Sequence, residues 1–515
     1  MNPQAPPIDR RTYGQILKST VLIGGSSLVN ILLGMLRAKL FALLLGPGGV
    51  GLMGLYMAVV DLAQTLAGLG VQSSGVRQIA EAAGSGDRAR IARTALVLKR
   101  LSLGLAVGGA GLLALFSGPV AQITFGDQTH AGAIACLSLA VFFRLVSGAQ
   151  AAVIQGLRRI SDLARIGVLG TLLGTLATIP LIYGLGERGI VPSIIAMAAA
   201  SALVSWWYSR RIDLGACEPS ALPVRGEVAS LLKLGFAFMA SGFLTIGAAY
   251  LVRILVVQHE GVAQAGLYQA AWTLGGLYAG FILQAMGADF YPRLTAAAQN
   301  KDECNRLVNE QAEISILMAG PGVLATLTFA PLIMTVFYSA EFGPAAGLLR
   351  WVCLGMTLRI VAWPVGFIFL ARNAQAVFFC TELAAAVVHV ALAWLLISRI
   401  GLDGAGQAFF GLYVWHTAAV YLLAHRMTGF RLSATNRRLG LLLILSMALV
   451  FAAFERLPLW PATFVGTAAV LASSLVSFHV LMRIVSPDAL PPMLRDRLPR
   501  RLSNAHRRIH SGRIG

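Results

Sequence analysis

The sequence is poor in charge. Asp, Glu, Lys and Arg make up 12% of its 515 residues, against roughly a quarter in soluble proteins. A soluble chain of this length needs more polar side chains to clothe its surface, so soluble globular folds, disordered chains and coiled coils are excluded. The five cysteines show no metal-ligand spacing. Cys136, Cys353 and Cys380 lie in apolar runs, and Cys217 and Cys304 lie in polar loops expected in the cytoplasm, where a disulfide framework does not form. No Gly-Lys-Ser/Thr phosphate loop is present, so ATP hydrolysis by this chain is not expected. No Ser/His/Asp arrangement, metal cluster or cofactor fingerprint is visible either. The reading is a protein that is not an enzyme, with no cofactor and no metal. The N-terminus lacks a charged, apolar, small-residue cleavage pattern, so the first apolar segment is expected to be retained.

What is present is apolar. Hydrophobic residues make up 57% of the chain and mean hydropathy is +0.74. They fall in runs of about 20, the length that spans a bilayer as a helix. A β-barrel would instead show alternating segments of about ten residues. The fold class is therefore an all-α polytopic membrane protein. Runs bounded by polar or Gly/Pro breaks number about 14. They cover about 17–44, 49–72, 95–118, 131–155, 163–183, 189–209, 229–257, 262–289, 312–338, 345–370, 374–397, 404–424, 437–454 and 460–483.

The net charge of +19 would point to nucleic acid in a soluble protein. Here it follows from membrane topology, because cytoplasmic loops are enriched in Lys and Arg. Alternate connections carry Arg88, Arg90, Arg93, Lys99 and Arg100, then Arg158 and Arg159, then Arg210 and Arg211, then Arg293 and Arg306, then Arg437 and Arg438. The opposite connections carry little beyond Arg188, Arg399 and Arg456. Both termini are expected in the cytoplasm. Trp206, Trp207 and Tyr208 precede Arg210 and form an interfacial anchor.

The first two runs and the seventh and eighth share an ordered pattern. Leu17-Lys18 matches Leu232-Lys233, Arg37 matches Arg253, Gly54-Leu55-Tyr56 matches Gly266-Leu267-Tyr268, and Arg77 matches Arg293. The offsets, about 212 to 216 residues, are those of two six-helix halves of the same orientation, related by a pseudo-two-fold axis along the membrane normal. The expected organisation is an N-lobe over 1–220, a C-lobe over 221–430, two further helices over 431–484 and a basic cytoplasmic tail over 485–515. The two pseudo-symmetric lobes would enclose a central cavity.

An ionisable side chain at the bilayer centre costs roughly 2.5–3.5 kcal/mol or more, so such groups face protein or a water-filled cavity. Arg37, Lys39, Asp61, Arg144, Arg253, Arg359, Glu382, His389 and His416 all lie within apolar runs. The balance is positive. Arginine supplies fixed charge and a fork of donors matched to phosphate oxygens. Arg37, Arg253, Arg144, Arg359 and Lys39 are therefore the candidate substrate-binding residues, with Arg37 and Arg253 as the leading pair because the repeat sets them at equivalent depths. Each arginine has a second reading as the partner of a carboxylate: Asp61 with Arg37 or Arg144, and Glu382 with Arg359. Asp61 and Glu382 also have the reading of coupling groups, carrying a proton or binding Na⁺. The histidines read first as packing residues. The Gly46-Pro47-Gly48-Gly49-Val50-Gly51 stretch reads as a tight turn, and Pro321 and Pro364 as kinks, static or hinge-like.

Gly34-Met35-Leu36-Arg37, the Gly46-Pro47-x-Gly49-x-Gly51 turn, Tyr56, Asp61 and the Gly70 to Arg77 stretch together resemble the polysaccharide exporter and lipid-linked oligosaccharide flippase branch of the MOP superfamily. The similarity is strongest to Wzx-type O-antigen translocases. It is most specific over 15–85. It implies two six-helix lobes around a V-shaped cavity. It implies a substrate of undecaprenyl pyrophosphate carrying a short oligosaccharide, flipped to the periplasmic leaflet of the bacterial inner membrane. Polysaccharide polymerase or export machinery is implied as partner. In the related lipid II flippases an arginine of a Gly-x-x-Arg stretch faces the cavity, and Arg37 matches it. Many Wzx-type proteins have twelve spans. Fourteen is similar to the lipid II flippases, whose extra pair helps form a groove for the lipid tail. Three rival readings stand beside this one. They are a lipid II flippase, a multidrug or cation antiporter of the same superfamily, and a membrane enzyme of glycan assembly. The antiporter would line its cavity with carboxylates, and the enzyme would need a large outer loop that is missing.

Overall fold

The computed structural model describes residues 10–212 and 224–484. Cys217 and the basic tail lie outside the described residues, as do the side chains of Leu17, Lys18 and Arg225. Every regular element among the described residues is helical. The longest is α1 (Arg10–Gly68). It is followed by α2 (Val71–Gly84), α3 (Arg88–Leu115), α4 (Ser117–Phe125), α5 (Ala131–Gly156), α6 (Ile160–Leu185) and α7 (Ile190–Ser209). Then come α8 (Val224–Glu260), α9 (Val262–Ala296), α10 (Lys301–Thr328), α11 (Ala330–Phe337) and α12 (Ala345–Ala371). The chain closes with α13 (Gln375–Ile400), α14 (Asp403–Thr428), α15 (Ala434–Arg456) and α16 (Leu459–Ile484).

A backbone in lipid must satisfy its own hydrogen bonds, which is why uninterrupted helices carry these apolar runs. At the water-exposed ends, side chains take over. Asp87 accepts from the Arg90 amide, Asn300 from the Asp302 and Glu303 amides, and Ser433 from the Asn436 amide. All three caps open helices that follow the basic connections, and each satisfies amides that the helix itself cannot.

Among the described residues ten helices are long and apolar enough to cross a membrane. The number is eleven when α10 and α11, bent by 83° at Phe329, count as one broken span. This is a polytopic, all-helical membrane protein. Two of the ten, Gly25–Gly68 of 44 residues and Ile160–Ser209 of 50 residues, are each more than twice the length a bilayer needs. Each covers two of the expected runs. The break in the first is confined to Gly46, with φ 63° and ψ −170°. Pro47 opens the next helical stretch, where its missing N–H costs nothing. In α10 the helix passes Pro321 unbroken, and the bend comes at Phe329, past the helix end at Thr328.

By packing, the chain falls into two compact units. Of the described residues, the first takes those within 1–270, 334–345 and 382–405, and the second those within 271–333, 346–381 and 406–515. In the first, α2, α3 and α5 close around Val71, Ile79, Leu98 and Val153, while α5 and α6 both lie against α7. In the second, α15 and α16 pack on α10. Asn309 of α10 ties the start of α15 down. Its carbonyl accepts from Asn436 Nδ2 at 2.7 Å, and its side-chain oxygen accepts from the Ser433 amide at 2.7 Å. Aromatic edges fill the rest, with Trp351 against Phe410 and Phe451.

Candidate functional site

The site is built on the second stretch of α1, residues 47–68. Glycine brings this stretch against its neighbours at both ends. A Cβ on Gly51 would overlap the Val262 carbonyl oxygen, and a Cβ on Gly266 would overlap the Pro47 carbonyl oxygen. At the far end Gly70, with φ +64°, meets Gly235 of α8 in the same manner. The matched triads Gly54-Leu55-Tyr56 and Gly266-Leu267-Tyr268 are alike in burial, with both tyrosines and both leucines enclosed.

Between these crossings one face carries Asp61, Thr65, Gly68 and then Gln72, the i, i+4, i+7 spacing of a helix stripe. Asp61 forms an ion pair with Arg144 of α5 at 2.6 Å. Both side chains keep partial access, 42% and 30% exposed. Thr65 Oγ1 donates to the Asp61 carbonyl at 2.8 Å. One turn further, a cavity of about 180 Å³ opens among Gln64, Thr65, Gln72, Ser73, Ser102 and Met239. Its polar groups are amides and hydroxyls, which both donate and accept.

The other expected arginines take different partners. Arg37 Nη1 donates to Met197 Sδ of α7 at 3.0 Å. Arg253 Nε donates to Gln269 Oε1 at 3.1 Å, and its Nη1 to the Ala249 carbonyl one turn back. Arg359, in the second unit, stacks on Trp363 at 5.0 Å and faces Tyr413 at 5.8 Å. Lys39 Nζ donates to the Thr335 carbonyl at 2.8 Å. Among the described residues no carboxylate lies within ion-pair distance of Arg37, Arg253 or Arg359. Of the two pairings open to Asp61, the structure forms the one with Arg144. Glu382 is half-buried on α13. His389 is enclosed, and His416 is enclosed against Tyr413 and Trp415.

Sequence reasoning weighted charge and so passed over neutral groups. Gln269 is the main one, and its position directly after the repeated Gly-Leu-Tyr triad was a usable signal. A second is the contact between Tyr56 Oη and His130 Nδ1, a hydrogen bond of 2.9 Å. The His130 ring also stacks on Phe125 at 4.0 Å. No spacing rule links residues so far apart in the chain.

A family model described as "Polysaccharide biosynthesis protein" matches residues 40–346, more than half of the chain. The chain belongs to that family. The lipid III flippase of Escherichia coli (strain K12) is 22% identical over 422 residues, spanning 80% of this chain and 99% of the relative. The lipid III flippase of Shigella flexneri matches to the same extent. Among solved structures, the lipid II flippase MurJ in an inward closed conformation superposes with a TM-score of 0.67 at 12% identity. That match covers 90% of this chain and 100% of the other. An inward-facing MATE multidrug resistance transporter of the MOP superfamily superposes with a TM-score of 0.66 at 18% identity, over 81% of this chain and 95% of the other. At these identities the likeness establishes the fold. The chain is a polytopic membrane protein of the polysaccharide-biosynthesis family, and it has the fold of these solved transporters.

Proposed function

We propose that this family member flips undecaprenyl-pyrophosphate-linked oligosaccharide from the cytoplasmic to the periplasmic leaflet of the bacterial inner membrane by alternating access. The observation that carries the reading is a family of polysaccharide biosynthesis joined to span arginines without carboxylate partners. Arg37 and Arg253 keep a charge that lipid alone cannot accommodate. A pyrophosphate supplies the missing counter-charge and accepts bidentate donation. Arg144, Arg359 and Lys39 add positive potential along the route. The hydroxyls of the glycan suit the amides and hydroxyls around Gln64 and Gln72. The polyprenyl tail stays in lipid. The homology to lipid III flippases supports a lipid-linked glycan as the cargo. Fourteen spans in two six-helix lobes, 1–220 and 221–430, with an added pair over 431–484 and a basic tail over 485–515, is the arrangement that goes with this cycle. Asp61 serves as the ion-pair partner of Arg144, and Glu382 is the remaining candidate for coupling.

The test follows a labelled undecaprenyl-pyrophosphate oligosaccharide across proteoliposome leaflets, comparing wild type with Arg37→Ala plus Arg253→Ala. Two charge-assisted hydrogen-bonding groups are lost, so a drop of about tenfold to a hundredfold is expected. The unfolding midpoint of the variant in detergent serves as the folding control. Unchanged transport would sink the arginine clamp. No transport by wild type across several glycans, including lipid II, would overturn the flippase reading and move the assignment to cation export.

A further inference from the structure

A second polar cavity, of about 300 Å³, lies in the first unit where the start of α3 meets the ends of α5 and α7. It is lined by Lys99, Ser102, Gln150, Trp206, Ser209 and Arg210, with apolar walls from Leu103 and Val146. Each of its polar side chains can donate a hydrogen bond. Gln150 Oε1 already accepts from Ser205 Oγ at 2.5 Å, which leaves the amide NH₂ as the free end. Ser209 is 4% exposed, and its hydroxyl has no hydrogen-bond partner. A buried hydroxyl left in that state costs free energy unless a ligand satisfies it. The Arg210 guanidinium sits 4.5 Å over the Trp206 ring, so its position is set by stacking. Among the described residues no carboxylate lies within ion-pair distance of Lys99 or Arg210.

The location selects the ligand. Arg88, Arg90, Arg93, Arg158, Arg159 and Arg211 belong to the same end of this unit. Trp206 and Trp207 are half-exposed there, as aromatics at a membrane interface are, and Leu103 beside them is half-exposed too. Two cations, an amide and two hydroxyls at headgroup depth match the oxygens of a phosphate, and basic pockets between helices at this level bind anionic head groups. We propose that this cavity is a binding site for a lipid-borne phosphate of the adjoining leaflet. It is separate from the Arg37 and Arg253 pair. Through Ser102 and Ala149, which line both cavities, it adjoins the polar cavity at Gln64. A phospholipid head group and a polyprenyl phosphate share the chemistry that the site reads.

Native mass spectrometry of the full-length protein, titrated with phosphatidylglycerol, phosphatidylcholine or undecaprenyl phosphate, tests the site. Lys99→Gln plus Arg210→Gln should weaken anionic binding about 30-fold, with phosphatidylcholine unaffected. Arg88→Gln plus Arg90→Gln removes the same charge from the same end but outside the cavity, and should leave affinity within about twofold. Loss confined to phosphatidylglycerol makes the site a resident-lipid site. Loss confined to undecaprenyl phosphate makes it a holding point for polyprenyl lipids. Both outcomes support a phosphate site. Equal loss in the control pair, or no loss in the cavity pair, overturns it. If the cavity pair fails to fold, Arg210→Gln alone and Ser209→Ala carry the same test, each with an expected fall of several-fold.

Discussion

Asp61 and Arg144 meet at 2.6 Å from different helices, and each makes the other tolerable in a span. Removing one leaves a single partly sheltered charge, while removing both leaves none. Asp61→Asn or Arg144→Gln alone should therefore destabilise the protein more than the two together. A coupling of about 1 kcal/mol is expected, since both groups retain solvent access. A double-mutant cycle on unfolding midpoints in detergent measures it, and additive losses would mean the pair is incidental. Transport in the same variants separates two roles. If Asp61 is only a partner for Arg144, the double variant keeps most of its activity. Gln269 was the neutral residue most easily overlooked. Gln269→Leu should strip Arg253 of its Nε acceptor and lower transport by about tenfold.

The start of α10 shows how an element is set up by local chemistry. Asn300 caps it. Arg306 then bridges Glu303 and Glu310, both at 2.5 Å. The Arg306 hydrogen bond holds the Glu303 carboxyl below its ordinary value. A depressed carboxylate contributes stability above its unfolded value, roughly pH 4.3, and that stability is lost as pH falls through the folded value. Arg306→Gln should move the Glu303 midpoint up toward that ordinary value, read by carboxyl NMR of labelled protein in nanodiscs. An unmoved midpoint would show that the bridge does not set the titration. At the α1 and α9 crossing the determinant is volume. Gly266→Val should lower stability by about 1–3 kcal/mol through overpacking against Pro47. Gly276→Ala on the same helix, where nothing lies within 4 Å of the added carbon, should be neutral. The apolar runs marked these helices well because hydropathy and length are properties of one segment. The bend at Phe329 was not legible, since the expected breaker, Pro321, sits inside a continuous helix and Thr326 Oγ1 bonds back to the Gly322 carbonyl at 2.9 Å.

For the whole molecule the ruling asymmetry is charge. Basic residues cluster on alternate connections, and this sets orientation during insertion. Alkaline phosphatase fused after residue 87 or residue 300 should be inactive, because those connections stay inside. Fusion within Gly186–Gly189 should give active enzyme. The reverse pattern would invert the topology, and with it the direction proposed for flipping. The arginines within spans add a second, smaller positive field, and the basic cavity at Lys99 and Arg210 adds a third.

Composition and run length alone mark a helical membrane protein, the approximate course of its helices and its basic connections. Those properties sum over contiguous residues, and lipid enforces them without reference to any partner. The sequence also carries the family resemblance, through the Gly-x-x-Arg stretch and the Gly-Pro-x-Gly-x-Gly turn, which are local. Which charges pair is set by packing between helices. Asp61 had two arginines on offer, and the packing of α1 on α5 chose Arg144 while leaving Arg37 to Met197. Packing between helices alone assembled Lys99, Gln150, Ser209 and Arg210 into one cavity. A cavity is made by helix neighbours, and neighbours are fixed by how side-chain volumes interlock across spans rather than by order along the chain.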